Sequence, residues 1–536
     1  MPNAGDHNCL SSGDALFLYL ERAGQPLNVG ATAVFEGALP LAPLLELLAE
    51  RLPKIPRHRQ RITAPAFNFD LPAWEPDPGF DLRNHVKEET LKQGSDAEFK
   101  AVAARILGAP LDRGRPLWDF TLIRGLRNRR TGMVFRFHHC LTDGISAMGL
   151  LNTLLDTDPP SSSPPLFPPT PPVETPPERG PRTPLVEGLI GSISALQRIL
   201  AAESEVLDLA KQMVAAAEAS APTNEDREDR PSVSAASPAP FEALKHLLSD
   251  LATAAERLPF NVVCRGPQQL AWVEIPMAQI GAIKEACEAT VNDVVLTALT
   301  LAARRYARLH GVPLTRRQLR VAVPVSVRRN PELAELGNHF SFLPVSIPLD
   351  LAAPRDLLHA VQEAVGHGRA ARVSELVSLL GTVLGAIPSA VQALLGPIMS
   401  QLPLSLCNLI CTNIPGPPAP LYLLGHRLLA CYPYVPIGGE MGMNCAVLSY
   451  NGTAYFGLTG DVHAIPDLES LAKSLRASFA RLRQAAGVRE ATPTQRTRSE
   501  SPSAVPGADL AEGKAPESSA AAGGQQALRA GAGGIG

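Results

Sequence analysis

The sequence predicts a mixed α/β (α+β) fold with two blocks, residues 1–156 and 261–489, each a mixed sheet with helices. In both blocks, short runs rich in β-branched and aromatic residues alternate with runs of helical hydrophobic spacing. The segment between them, residues 157–260, has a different composition. Apolar residues make up 45% of the 536 residues, which is enough for two sizeable cores.

The first block contains strand and helix signals in alternation. Val29–Glu36 alternates as a strand does, and Leu41–Leu52 has the spacing of a helix. Leu117–Ile123 and Met133–His138 are short β-rich runs separated by a basic turn. Ile145–Leu155 again has helical spacing, so the first block is expected to end with a helix.

The segment between the blocks predicts a crossover connection. It contains 12 prolines between residues 159 and 184, which favour a stiff, extended connector. Residues 185–217 are apolar at helical spacing, whereas 220–240 are polar and predict disorder. The tail, residues 490–536, is rich in small and polar residues and also predicts disorder.

The second block predicts two helices among several strands. The closing pair of strands is joined by Asn451-Gly452, a dipeptide typical of tight hairpin turns. The predicted helices are Met277–Glu288 and Val294–Leu309. The predicted strands are Leu270–Ile275, Gln318–Val327, Ser341–Leu349, Met443–Tyr450 and Ala454–Thr459.

One stretch of the second block, residues 376–425, has no charged residue. Pro388 and Pro397 interrupt its helical pattern, which disfavours a single membrane-spanning helix. A pair of buried helices and an apolar surface that contacts a bilayer or covers an acyl pocket are the two other interpretations.

Charge and cysteine usage narrow the function classes. The 49 basic and 52 acidic residues give a net charge of −3, which argues against a nucleic-acid-binding protein. The N-terminal apolar run is interrupted by Asp14 and Glu21 and lacks a basic flank, so no secretory leader is expected. The absence of a C-x-x-C pair favours free thiols over disulfides or a zinc cluster. The cysteines are Cys9, Cys140, Cys264, Cys287, Cys407, Cys411, Cys431 and Cys445.

The strongest chemical signal is the segment Phe137–Gly144, with the sequence FHHCLTDG. Adjacent histidines at a strand end point to opposite faces, so one can face a cleft while the other faces the core. A neutral imidazole is suited to taking a proton from an alcohol near pH 7. A structural His pair, a metal site formed with Asp143, and Cys140 as a covalent nucleophile are the alternatives. The formal H-x4-D pattern of glycerophosphate acyltransferases lacks its companion Phe-Pro-Glu-Gly block here.

Several motifs together resemble one enzyme family. His138–Gly144 resembles the HHxxxDG signature of the chloramphenicol-acetyltransferase-like, CoA-dependent acyltransferase superfamily. Further segments, in the expected order over residues 11 to about 480, resemble those of the bacterial wax ester synthase/diacylglycerol acyltransferase family. These segments are Ser12–Leu18, Val29–Glu36, Pro116–Trp118, Asn292–Val295, Thr412–Pro417 and Ser449–Gly452.

The resemblance implies two chloramphenicol-acetyltransferase-like halves, with an active-site tunnel at their interface. It implies that His139 is the general base, beside His138, and that Asp143 is structural and pairs with an arginine while Gly144 provides the turn. Candidate arginines for that pair are Arg57, Arg59 and Arg61.

The remaining candidate site residues are substrate or tunnel residues. Asn292 and Asp293 match the contribution of the second half near the site. Pro116, Leu117 and Trp118 match a segment that is more often a structural wall than a chemical group. Asn413, before a Pro-Gly-Pro turn, is expected either to shape the tunnel or simply to belong to the turn.

The resemblance also implies a reaction and a location. Long-chain acyl-CoA is the donor and co-substrate, and diacylglycerol or a fatty alcohol is the acceptor, which gives triacylglycerol or a wax ester. No metal or other cofactor is implied. The expected location is cytoplasmic, peripherally bound to the inner face of the plasma membrane or to lipid droplets. Basic residues at 51–61 and 124–130 could steer CoA phosphates or anionic headgroups, or form a solvated face.

Other functions stay open at this point. One is a condensation-type acyltransferase with a carrier-protein donor, and another is a polyketide-type acyltransferase that acts on a soluble alcohol. A third is a non-catalytic lipid-binding protein that keeps the fold. The sequence leaves the oligomeric state undetermined.

Overall fold

The computed structural model describes residues 9–22, 24–65, 70–141, 153–157, 255–326, 340–370, 392 and 407–489. The helices in these ranges are α1 (Ser12–Leu20), α2 (Leu41–Arg51), α3 (Asp96–Leu107), α4 (Met277–Ala286), α5 (Val291–Leu309), α6 (Pro354–Ala370) and α7 (Leu468–Ala485). The first strands are β1 (Asn28–Glu36), β2 (Gln60–Thr63), β3 (Ala73–Pro76), β4 (Val86–Thr90), β5 (Trp118–Leu126) and β6 (Arg130–His138). The later strands are β7 (Gln268–Pro276), β8 (Gln318–Ser326), β9 (Phe340–Pro348), β10 (Leu409–Pro415), β11 (Tyr422–Leu423), β12 (His426–Tyr434), β13 (Met443–Tyr450) and β14 (Thr453–Asp461).

The first sheet has the strand order β11-β12-β1-β6-β5-β4 and is mixed, because only β4 and β5 run parallel. β6 lies between β1 and β5, with Asn28 opposite His138 and Trp118 opposite Phe137. The side chains of α2 at Leu44 and Leu48, one helical turn apart, are buried in the core beside this sheet. The histidine motif therefore begins at the end of an interior strand, where the backbone is paired on both sides.

The second sheet has the order β7-β14-β13-β10-β8-β9 and is also mixed, since β10 runs parallel to both β13 and β8. Asn451 and Gly452, with φ angles of 45° and 76°, turn β13 into β14 as a type I′ hairpin requires. Helix α5 begins with a capping box, in which the Thr290 hydroxyl and the Asp293 carboxylate accept each other's backbone N–H. Helices α5, α6 and α7 pack against this sheet in one large apolar core.

The two halves share a sheet, which the sequence patterns do not predict. β12 belongs to the second block of the chain, yet it pairs with β1 over Gly30–Phe35. β12 also crosses β14 so closely that a Cβ on Gly457 would lie 1.8 Å from the carbonyl oxygen of Pro433. Because β12 covers the otherwise open edge of β1, the first sheet is complete only with residues from the second block. The prediction of two mixed sheets with helices is confirmed, but the halves are not separate segments of chain.

Helix α3 also joins the two halves. Its residues Phe99 and Leu107 pack in a small apolar cluster with Leu270 of β7 and Tyr434 of β12. The Trp272 ring of β7 stacks on the Tyr432 ring of β12, with centroids 4.2 Å apart and planes at 3°. Both contacts stabilise β12 in its position between elements of the two sheets.

The elements predicted inside the described ranges form where the patterns placed them, with ends shifted by a few residues. Examples are β1, the basic turn between β5 and β6, and helix α5, which begins at Val291 instead of Val294. Of the predicted helix Ile145–Leu155 only residues 153–155 are described, and 153–154 are helical. The rest of that helix, nearly all of the crossover 157–260 and the tail 490–536 lie outside the described residues.

The uncharged stretch 376–425 is described at residue 392 and from Cys407 onward. From Cys407 it forms β10, a proline-rich turn and β11, so this part contains no helix, and the interpretation as a pair of buried helices stays a prediction for the rest. The parts 376–391 and 393–406 lie outside the described residues. Among the described helices, none alone is long and apolar enough to cross a membrane. Helices α4 and α5 meet those criteria only together, with a bend of 100° between them, and most of α5 is buried in the core.

Candidate active site

The two histidines stand where β6 leaves the sheet. The backbone N–H of His138 donates to the Leu117 carbonyl at 3.0 Å, and that of His139 donates to the Leu27 carbonyl at 2.8 Å. The chain on either side of the pair is thus fixed by β5 and by the start of β1. Asp143 and Gly144 lie outside the described residues, so the ion pair expected of Asp143 stays a prediction.

His138 is fully buried, and among the described residues it has a hydrogen bond at Nδ1 and an acidic neighbour, but no hydrogen bond, at Nε2. Its Nδ1 accepts the backbone N–H of Cys140 at 3.1 Å, so the ring proton resides on Nε2. That Nε2 lies 3.4 Å from Oε1 of Glu21. Because both nitrogens face protein groups, His138 stabilises the turn and is not available to a substrate.

Glu21 is the acidic partner in this corner. Its Oε1 also accepts the Leu27 backbone N–H at 3.2 Å, and its Oε2 accepts from the Arg113 guanidinium at 2.8 Å. Burial alone would raise the pKa of Glu21, but the hydrogen bonds and charges of His138 and Arg113 outweigh it and lower the pKa to about 2. Glu21 is therefore ionised at neutral pH.

His139 is only partly buried, unlike His138. Its ring is stacked face to face on Phe17 of α1, with centroids 4.1 Å apart and planes at 3°. Stacking occupies one face of the imidazole and leaves its edge, where the nitrogens lie, for other contacts. The two histidines therefore face different environments, as the alternation at a strand end predicts.

Cys140 lies against the same corner but cannot serve as a ready nucleophile. Its side chain is buried, and burial followed by the charge of Asp14 raises the pKa of the thiol well above its usual value. All eight cysteines are free thiols, as the sequence predicts. Within the described ranges, no three His, Cys, Asp or Glu side chains gather as a metal site would require.

Two of the three candidate arginines lie over different aromatic rings. The Arg57 guanidinium lies over the Trp74 ring at 4.7 Å and is close enough to Asp14 and Cys140 to interact with them electrostatically. Arg59 instead lies over the ring of Phe80 at 5.6 Å. Arg57 is thus near Cys140 of the histidine motif, and the identity of the partner of Asp143 stays a prediction.

Leu117 and Trp118 support the motif from behind. Trp118 is 1% exposed, its indole N–H donates to the His58 carbonyl at 2.8 Å, and His85 stacks on it at 4.5 Å. Leu117 carries the carbonyl that holds His138, and Pro116 precedes it as a buried residue. The segment is therefore a wall of the first core, and its predicted role toward substrate stays a prediction.

Asn292 and Asn413 are brought together from distant parts of the chain. The Asn413 side-chain amide donates to Oδ1 of Asn292 at 2.6 Å, which joins β10 to the first turn of α5. Asp293 is buried and its Oδ2 caps α5. Helix capping therefore explains an acid at position 293. The role of Asn292 and Asn413 near substrate stays a prediction.

The residues that sequence reasoning missed are Glu21 and Arg113, together with the function of Phe17. The signal was present, because Phe17 and Glu21 are one helical turn apart and lie on one face of α1. Nothing local in the sequence connects that face with the histidines more than a hundred residues later.

A narrow apolar cavity lies between the two sheets. It has no polar surface, and its walls come from β1, β6, β12 and β13. The lining residues are Phe35, Phe135, Leu155, Pro417, Leu421, Leu428, Cys431, Leu448 and Tyr450.

Comparison with known proteins gives consistent matches over both blocks. A profile of the wax ester synthase/diacylglycerol acyltransferase catalytic domain matches residues 10–295. A profile of the C-terminal domain of the same family matches residues 336–483. The chain is 28% identical over 481 residues to the probable diacylglycerol O-acyltransferase tgs1 of Mycobacterium tuberculosis, which covers 89% of this chain and 96% of that relative.

Two solved structures share the fold. The wax ester synthase/diacylglycerol acyltransferase from Marinobacter aquaeolei VT8 matches with a TM-score of 0.59 at 22% identity, over 90% of this chain and 100% of that chain. The first condensation domain of the CDA synthetase matches with a TM-score of 0.52 at 16% identity, over 90% and 98%. At these identities the likeness shows the fold alone, and it confirms the predicted two-half architecture.

Proposed function

The chain belongs to the wax ester synthase/diacylglycerol acyltransferase family and is an O-acyltransferase, and we propose that it esterifies diacylglycerol, or a long-chain fatty alcohol, with an acyl group from CoA. The observation that carries the proposal is the position of His139. It follows an interior strand, its backbone is tied to Leu27, and its ring is only partly buried, whereas His138 is buried beside Glu21.

The proposed reaction uses the neutral imidazole of His139 as general base. It accepts the proton of the acceptor hydroxyl while the hydroxyl oxygen attacks the thioester carbonyl carbon. The tetrahedral intermediate collapses as the C–S bond breaks, and the CoA thiolate takes the proton back from the imidazolium. The products are an ester and free CoA, and the imidazole returns to its neutral form without a covalent acyl-enzyme.

Diacylglycerol is the acceptor that we place first, because the Mycobacterium tuberculosis relative reported above is named a probable diacylglycerol O-acyltransferase. We propose that the halves meet at the substrate tunnel, with the Asn292–Asn413 amide pair in its second-half wall.

The two basic clusters have different positions relative to His139. Arg57, in the cluster at 51–61, lies near Cys140 of the histidine motif. The exposed Lys54 and Arg59 of the same cluster would attract CoA phosphates. The exposed Arg127, Arg129 and Arg130 stand at the far end of β6, about 26 Å from His138 at the usual rise of a strand. That distance favours a role at anionic headgroups on the inner face of the plasma membrane or on lipid droplets.

The catalytic proposal is tested by free-thiol release from palmitoyl-CoA. Purified protein is assayed with diacylglycerol and with hexadecanol, as wild type, as His139→Ala and as His359→Ala, an exposed histidine that serves as the matched control. Acceptor-dependent release that falls about 100-fold in His139→Ala alone is the expected result. Absence of release with both acceptors, or turnover with a phosphopantetheinylated carrier protein only, would overturn the proposal.

The membrane proposal is tested separately by cosedimentation with vesicles. Wild-type protein is expected to bind vesicles that contain anionic lipid and to bind neutral vesicles less. Replacement of Arg127, Arg129 and Arg130 by Ala should weaken the anionic binding, while replacement of Arg305, Arg308 and Arg316 should not. Equal loss in both triple variants would contradict a specific role for the β5–β6 turn.

A further inference from the structure

Helix α1 packs against the histidine motif, and we propose that its residues Phe17 and Glu21 are positioning residues for the general base. Phe17 contacts the ring of His139, and Glu21 contacts the ring of His138. The proposal rests on the function proposed above, because it assigns a role in orienting the base of that reaction.

The geometry of α1 explains why one helix can hold both histidines. Asp14, Phe17 and Glu21 are spaced i, i+3 and i+7, so they follow one face of the helix. The Glu21 backbone N–H donates to the Phe17 carbonyl at 3.2 Å, so Glu21 is the C-cap residue at which α1 ends. Along this face, Glu21 meets His138, Phe17 meets His139, and Asp14 acts electrostatically on Cys140.

The contact of Phe17 determines the plane of the base. An imidazole on a mobile side chain samples many ring orientations, and few of them aim a nitrogen at a hydroxyl. A parallel aromatic ring at 4.1 Å restricts the His139 ring to one plane without occupying its nitrogens. Holding a reacting group in its productive geometry is worth a large rate factor, and misplacement by about 1 Å can cost about 100-fold.

The contact of Glu21 determines the backbone beneath the base. One carboxylate oxygen accepts the Leu27 N–H and lies 3.4 Å from His138 Nε2, and the Leu27 carbonyl in turn accepts the His139 N–H. Arg113 fixes the other oxygen and also donates to the Leu18 carbonyl of α1 at 2.8 Å. The helix, the start of β1 and the histidine turn are therefore joined at a single carboxylate.

Four charged side chains from three parts of the chain lie near the histidine motif. Glu21 and Asp14 come from α1, Arg113 comes from the connection between α3 and β5, and Arg57 comes from the turn before β2. Loss of the Glu21 charge leaves the cations Arg113 and Arg57 in excess. The imidazolium of His139 then becomes less favourable, so the pKa of the base should fall.

The kinetic test compares two side chains of the same helix. Phe17→Leu removes the stacked ring and keeps an apolar group, Phe17→Tyr keeps the ring, and Leu18→Ala weakens the packing of α1 in the core without touching a histidine. We expect Phe17→Leu to lower kcat about 10-fold with both KM values within about twofold, and Phe17→Tyr to restore kcat. Leu18→Ala should lower Tm but keep the kcat of the folded enzyme.

The second test does not depend on turnover. The pKa of His139 is measured by 15N NMR of histidine-labelled protein, with the signal assigned from His139→Ala. Glu21→Gln should lower that pKa by about half a unit or more, whereas the exposed control Glu50→Gln should leave it unchanged.

These outcomes separate the two proposals. An unchanged His139 pKa in Glu21→Gln, together with equal kcat losses in Phe17→Leu and Leu18→Ala, would reduce α1 to a structural element and overturn the inference. A wild-type protein that releases no thiol would instead defeat the proposed reaction, while the NMR result would still report on the positioning of His139.

Discussion

The two halves of the molecule satisfy their buried polar groups in different ways. In the first half, buried charges meet other charged side chains, as in Arg136 with Asp119 and Glu21 with Arg113. In the second half, buried polar side chains chiefly bind backbone groups, as Asp461 does with four backbone N–H groups. In the half with the histidine motif, loss of one partner of such an ion pair leaves an uncompensated buried charge, whereas in the other half loss of Asp461 leaves only neutral N–H groups without partners.

The largest effect is expected at the buried ion pair of the first half. The Arg136 guanidinium binds both oxygens of Asp119, and its side chain is 8% exposed. Asp119→Ala should lower the free energy of unfolding by about 3–5 kcal/mol, because it leaves a buried cation without its anion. Urea denaturation measures this loss. The double variant Asp119→Leu with Arg136→Met is the control, and it should recover most of the stability. A loss below about 1 kcal/mol in the single variant would contradict the importance of ion pairs in the first half.

A smaller loss is expected at the corresponding acid of the second half. Asp461 accepts from the backbone N–H groups of Arg265, Gly266, His463 and Ala464. Asp461→Ala should cost about 2–3 kcal/mol, because the freed N–H groups are neutral and lose only hydrogen bonds. The same urea titration measures it, with the exposed Asp350→Ala as control. If Asp461→Ala costs more than Asp119→Ala, the contrast between the halves is reversed.

The first half should also carry a pH dependence at His58. Burial, followed by the charges of Arg57 and His85, lowers the pKa of His58 from 6.5 to about 3. The unfolded chain therefore binds a proton that the folded chain refuses, so this residue costs no stability above pH 6.5 and progressively more as the pH falls toward 3. At pH 4.5 the cost is about 3 kcal/mol, from the 1.36 kcal/mol that each of the two pH units below 6.5 represents.

His58→Leu is the variant that tests this dependence. It should flatten the pH dependence of unfolding below pH 6.5, and an exposed control, His359→Leu, should not. Thermal unfolding between pH 4.5 and 7.5 measures both. Parallel pH profiles for wild type and His58→Leu would show that the acid sensitivity of the first half comes from other groups.

The smallest effect is expected where an exposed ion pair joins the halves. Lys100 of α3 pairs with Glu469 of α7, and the Glu469 side chain is 54% exposed. Lys100→Ala should change the free energy of unfolding by less than about 1 kcal/mol, because solvent and salt screen such pairs. A double-mutant cycle with Glu469→Ala measures the coupling. A coupling above about 2 kcal/mol would show that this ion pair between the halves contributes as strongly as a buried one.

Local patterns were sufficient for much of the secondary structure and for the core of the site. The alternation of Val29–Glu36 gave a strand, the pair Asn451-Gly452 gave a hairpin, and the histidine motif was placed at a strand end. The uncharged stretch shows the limit of such patterns, because an apolar run can form a helix or a buried strand, and its described part from Cys407 forms β10 and β11. In that run, β10 is flanked by parallel strands on both sides, which no local pattern reveals.

By itself, the sequence determined the two mixed sheets and the family, since strands, helices and motifs each depend on residues within a few positions of one another, and it singled out His139 as the candidate base. Only the tertiary structure decided that β12 completes the first sheet, that Asn413 meets Asn292, and that helix α1 holds both histidines. Those contacts join residues far apart along the chain. Their energies depend on the path by which the two sheets pack together, and no periodicity of either segment encodes that path.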